Sequence, residues 1–151
     1  MMEWNRPRSV RQIGSVPGRE RIYVEDYVMR FAKRLAAKQS DNEKAAMLLG
    51  NQYHYNGQKI VQISGIVEIP QFARRNSPVL SPQSWDSVYT EIKENFTDLD
   101  IVGWFYTARD FDRQDAGKLL EIHKANFQHR DKVLYILDEK EQEDGMFLYH
   151  M

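Results

Sequence analysis

The sequence predicts an α+β domain, a mixed and mostly antiparallel sheet with three amphipathic helices packed on it. Three observations carry this reading. Apolar residues recur at helical spacing in three separate segments, runs suited to strands lie between them, and one pair of such runs is joined by Asn56-Gly57. Strands cluster, but helices interrupt them, as in a sheet with helices on its faces.

In chain order, residues 1–21 stand apart. They carry Arg6, Arg8, Arg11, Arg19 and Arg21 against Glu3 and Glu20, with Pro7, Gly14, Pro17 and Gly18 breaking any period. An arm, or an edge strand around Arg11 to Val16, is expected there, with one domain over 22–151. Val24, Tyr27, Val28, Phe31 and Leu35 form the first helical stripe. Ala45 to Leu49 is an unbroken apolar run ending at Gly50, read as a short strand covered on both faces. "QYHYNGQKIVQI" is a hairpin whose turn is Asn56-Gly57, and its second strand runs on from Ile60 to Ile69 with Gly65 as a bulge. Trp85, Val88, Tyr89, Ile92 and Phe96 form the second stripe, opened by Ser81-Pro82 as cap and first-turn pair. Asp100 to Thr107 reads as a strand. Ala116, Leu119, Leu120, His123 and Phe127 form the third stripe, with Asp112 and Asp115 at the helix start. Lys132 to Asp138 and Met146 to Tyr149 complete the sheet.

Size and composition set bounds. The chain has 151 residues, enough for one compact domain, with 42% apolar and 28% charged residues. A net charge of −1 argues against nucleic acid as partner. The absence of cysteine excludes disulfides and thiol nucleophiles. No stretch approaches the roughly 18 apolar residues of a membrane span, and the start lacks a signal peptide's apolar region, so a cytoplasmic domain is expected. The end, "GMFLYHM", stops within a strand pattern, which suggests the N-terminal soluble part of a longer protein, continuing into an anchor or binding module.

Two stretches resemble a known family. "EKAAMLLG", Glu43 to Gly50, fits the frame E-x-x-G-x-L-x-G with Ala46 for the inner glycine. "VGWFYTAR", Val102 to Arg109, fits V-G-W-[YF]-H-[ST]-H-P except at Tyr106, Ala108 and Arg109. "DRQD" falls on S-x-x-D after a short deletion, with Asp112 for the serine and Asp115 matching the aspartate. These are similar to the MPN (JAMM/Mov34-type) domain of zinc-dependent isopeptidases and their silent scaffold partners. The resemblance covers residues 21–150 and implies the layered architecture shared with cytidine deaminases.

In that family two histidines and an aspartate hold zinc, and the glutamate takes a proton from zinc-bound water. Histidines two apart on a strand leave one face together and can grip one ion. Here Tyr106 and Ala108 stand at those positions. A phenol titrating near 10 is a poor ligand at pH 7 and a methyl is none. Asp115 alone cannot hold a catalytic zinc, for which three protein ligands are usual. The resemblance therefore implies a catalytically silent member, without metal or cofactor. Its degenerate site is Glu43, Tyr106, Ala108, Asp112 and Asp115.

The remaining histidines show no ligand spacing. His54 flanks the hairpin turn, His123 lies on an apolar stripe, His129 ends a helix and His150 is near the end. Glu43 with Asp112 or Asp115 could pair as in glycosidases. Yet Glu43 follows a polar loop and is expected to be a solvated edge carboxylate, and Asp112 and Asp115 are adequately explained as helix-start residues. What remains is binding. Tyr106 beside Trp104 and Phe105 either lines an aromatic groove, with Trp104, Tyr106 and Arg109 as its candidate residues, or fills the core and closes it. The resemblance implies a scaffold or protein-interaction domain with a protein partner or a second copy. The alternatives are a metal-dependent hydrolase with displaced ligands, and a sensor of peptides or small ligands in the old groove.

Overall fold

The computed structural model describes residues 10–16, 20–38, 43–72, 78–108, 113–127, 132–138 and 143–149. Seven strands and three helices follow in the order β1 (Val10–Val16), β2 (Glu20–Glu25), α1 (Asp26–Ala37), β3 (Lys44–Tyr55), β4 (Gln58–Glu68), α2 (Pro82–Asn95), β5 (Asp100–Ala108), α3 (Arg113–Asn126), β6 (Lys132–Asp138) and β7 (Glu143–Tyr149). All strands join one sheet in the order β1-β2-β4-β3-β5-β6-β7. Pairings β2/β4 and β5/β6 are parallel and the other four antiparallel. The mixed, mostly antiparallel α+β fold follows from the sequence pattern as expected. β1 is an edge strand within the arm, and β2 spans residues on both sides of the expected boundary at 21.

The sheet separates two cores. On one face α1 buries Val28, Met29, Ala32, Leu35 and Ala36 against Val61, Ile63, Phe105, Val133 and Tyr135. On the other, α2 and α3 cover Met47, Leu49, Trp104, Tyr106, Leu134 and Ile136 with Val88, Leu119, Ile122 and Phe127. Period-two alternation along the strands divides the residues: Ala46 and Leu48 face α1, while Ala45, Met47 and Leu49 face α2 and α3. Both faces of the central strands are thus buried, which is why they read as unbroken apolar runs.

The hairpin turn forms as its sequence requires. Asn56 and Gly57 have φ of 50° and 76°, both positive, and join Tyr55 to Gln58. Ser81 caps α2, its Oγ accepting from the Ser84 N–H at 3.1 Å, with Pro82 in the first turn.

Three expectations need correction. Gly50 does not end a strand. β3 runs through it to Tyr55, because β4 passes so close that a Cβ on Gly50 would sit 1.9 Å from the Gln62 carbonyl oxygen. Glycine here marks close backbone approach at a register shift, not a turn. The extra residue of β4 is Ser64, beside the expected Gly65, and β5 carries a matching extra residue at Val102.

The helix faces are also rotated from the expected stripes. Val24 belongs to β2, and Tyr27 is 39% exposed while Ala32 and Ala36 face the sheet. Small residues let the α1 backbone approach the strands, and the Tyr27 hydroxyl donates to the Ser64 carbonyl at the bulge. In α2 and α3, Tyr89 and Leu120 are exposed at 55% and 43%, and Ile122 takes the buried position that Leu120 was expected to hold.

Candidate functional site

Antiparallel pairing of β3 with β5 sets Lys44 opposite Thr107 and Ala45 opposite Tyr106. β3 therefore begins where β5 ends, and Glu43 arrives beside Tyr106. The Tyr106 hydroxyl donates to Glu43 Oε2 at 2.6 Å. From α3, Lys118 Nζ donates to both carboxylate oxygens at 3.3 Å. Side-chain exposure is 14% for Glu43 and 52% for Lys118. The phenol–carboxylate bond is short, charge-assisted and largely shielded, so it contributes more than the half-exposed ammonium, whose attraction water screens.

Tyr106 presents an O–H already directed at Glu43, and Ala108 offers a methyl at the end of β5, so the donor set does not fit a tetrahedral zinc. Glu43 Oε2 accepts the phenol, which holds the carboxylate against the end of β5. Among the described residues no group of His, Asp or Glu is arranged to hold a metal ion. Arg109 and Asp112 lie outside the described residues, as does the side chain of Asp115, whose backbone lies in α3.

Lys118 escaped the sequence reading. It lies one helical turn after Asp115, the residue matched to the S-x-x-D frame, and that spacing was the available signal.

The aromatic groove needs correction. Trp104 and Tyr106 are 1% and 2% exposed and Phe105 is fully buried. Phe72, just after β4, closes over the pair, its ring 6.0 Å from each. Behind Trp104 lie Phe127, stacked at 6.2 Å, and His123. Alternation sends Trp104 and Tyr106 to the face that α2 and α3 cover, so they fill the core. Core filling prevails over a surface groove.

His123 is 1% exposed, and its Nδ1 accepts the Trp104 indole N–H at 2.9 Å. Desolvation by burial lowers its pKa below the ordinary 6.5. Protonating Nδ1 would also set one N–H against another. The unfolded chain therefore takes up a proton that the folded chain refuses as pH falls below about 6.5, and stability declines in that window until the lowered folded pKa is reached. Thermal midpoints of the native chain should fall from about pH 7 to pH 5, and His123→Gln should flatten that slope. His54 is exposed on β3, and His129 and His150 lie outside the described residues.

A cavity of about 610 Å³ lies at the other end of β5, lined by Asn51, Gln52, Tyr89, Ile92, Asp100 and Lys132 among others. Volume alone would point there, but the family-like residues do not. Lys132 Nζ donates to the Ile101 carbonyl at 2.6 Å, so this cation braces the β5–β6 entrance.

Comparison with known proteins gives a fold and no family. No family model and no curated protein matches the chain. Among solved structures, the solution structure of protein DSY2949 from Desulfitobacterium hafniense is similar, with a TM-score of 0.53 and 12% identity over 83% of this chain and 82% of that one. At that identity the likeness concerns the fold alone. No helix among the described residues is long and apolar enough to cross a membrane.

Proposed function

We propose that this chain is a catalytically silent, MPN-like protein-interaction domain, working in the cytoplasm as a scaffold and taking a protein partner or a second copy. One observation carries the reading. At the position where the resemblance places a zinc-binding histidine, Tyr106 donates its hydroxyl to the residue that would be the general base, Glu43. Lys118 donates to both oxygens of the same carboxylate. A hydrogen-bonded clasp thus stands where the active family keeps ligands and water, and it ties β5 to the start of β3. Trp104 and Tyr106 support the same reading, since their side chains are closed into the core instead of lining a groove beside Glu43.

The test is cleavage of isopeptide-linked conjugates by the purified chain with added zinc, with and without a chelator. The expected result is no turnover above the chelated control, and no difference between the native chain and Glu43→Gln. Chelator-sensitive turnover lost in Glu43→Gln would replace this reading with a hydrolase using displaced ligands.

A further inference from the structure

Helices α1 and α2, on opposite sides of the sheet, expose opposite charges. On one side, α1 turns Arg30, Lys33 and Arg34 outward, with Lys38 at its C-terminal end, and Asp26 is the lone acid on that exposed face. Arg34 lies 5.8 Å over the Phe31 ring, and Lys38 reaches Glu68 at 3.7 Å. On the other side, α2 exposes Asp86, Glu91 and Glu94 against Lys93, and Asp98 and Asp100 extend the acidic surface. The exposed faces of α1 and α2 thus carry opposite charge although the chain's net charge is only −1.

Helical geometry makes the two faces match. One hundred degrees per residue places Arg30 and Arg34 at the centre of the α1 face turned away from its buried residues. The same rotation places Asp86 and Glu94 on the α2 face turned away from Val88. Arg30 and Lys38 are the same number of residues apart as Asp86 and Glu94, about 12 Å along a helix. Two such helices laid side by side can pair charges at both ends at once.

We propose that α1 of one copy docks on α2 of a second copy through these complementary charges. Like charges disfavour α1 on α1 and α2 on α2, so the contact joins unlike surfaces. Because the two surfaces lie on opposite sides of the sheet, each added copy leaves a free face, and the assembly grows head to tail. Solvent-exposed ion pairs are individually weak, so the association needs several together and dissolves as salt screens them. The proposal deepens the reading of the chain as an interaction domain by naming the partner, and it draws nothing from the zinc chemistry.

Sedimentation velocity of the full chain tests it, at about 0.02 M and about 0.5 M salt. At low salt the weight-average mass should rise with concentration above that of one chain, and at high salt it should return to monomer. Arg30→Gln/Arg34→Gln and Asp86→Asn/Glu94→Gln change exposed residues only. Each variant should be monomeric alone, and a mixture should give a one-to-one dimer and nothing larger, since only one pair of intact faces remains. Three results would each overturn the proposal: a native chain monomeric at low salt throughout, either variant alone associating like the native chain, or a mixture without dimer. Turnover in the isopeptide assay would overturn the silent-domain reading without touching these outcomes.

Discussion

Gly50→Ala and Gly103→Ala should each cost at least about 3 kcal/mol, while Gly117→Ala should stabilise the protein by about 0.5–1 kcal/mol. The same added methyl acts with opposite sign because its surroundings differ. On Gly50 it would stand 1.9 Å from the Gln62 carbonyl oxygen, and on Gly103 it would stand 2.1 Å from that of Val133. Both obstacles are backbone in the middle of the sheet, where no side chain can swing aside. Relief requires strands β3 and β4, or β5 and β6, to part. At Gly117, on the exposed side of α3, an added Cβ meets nothing within 4 Å, so only the helix preference of alanine is felt. Thermal melts should show midpoints lowered by roughly 6–12 °C for the two strand variants and raised slightly for the helix variant. Equal small effects at all three positions would mean that the strands are not packed this closely.

Trp104→Ala should cost about 3–5 kcal/mol, the range for removing a buried aromatic side chain. Its ring contacts Phe72, Tyr106, His123 and Phe127, and its N–H satisfies a buried nitrogen. Trp104→Phe separates the two contributions. It keeps an aromatic ring but removes the donor to His123 Nδ1, at about 1–3 kcal/mol. Replacing both partners removes the mismatch, so Trp104→Phe/His123→Phe should be less destabilised than the sum of its single variants. Urea denaturation of the four proteins measures this directly. Strict additivity would show that the indole–imidazole bond contributes nothing.

How much of this was legible in the sequence varies by the range of the interaction involved. The Asn56-Gly57 hairpin and the Ser81 cap are local, decided by a few neighbouring residues, and both formed as read. The fold class followed from periodicity. Helix faces were rotated because periodicity counts apolar residues and cannot tell which ones the sheet will accept. Tyr27 and Leu120 are apolar enough to join a stripe, yet Ala32, Ala36 and Ile122 fit the close approach better. Gly50 was misread as a strand end because a glycine that stops a strand and one that lets another strand pass look alike in one dimension. At the candidate site, Glu43 and Tyr106 were found by their place in a motif frame, but their bond depends on antiparallel β3/β5 pairing. Lys118 reaches Glu43 across 75 positions of chain, so only its spacing from Asp115 hinted at it.

The clasp itself admits one decisive measurement. The purified chain is stripped with a chelator, exposed to excess zinc, freed of loose ion by gel filtration, and analysed for bound metal by plasma emission. With Tyr106 committed to Glu43 and a methyl at Ala108, the retained zinc should be far below one ion per chain and unchanged in Glu43→Gln. One zinc per chain, lost on mutating Glu43 or Asp115, would mean that these residues grip a cation and that the clasp is not the resting state of the site.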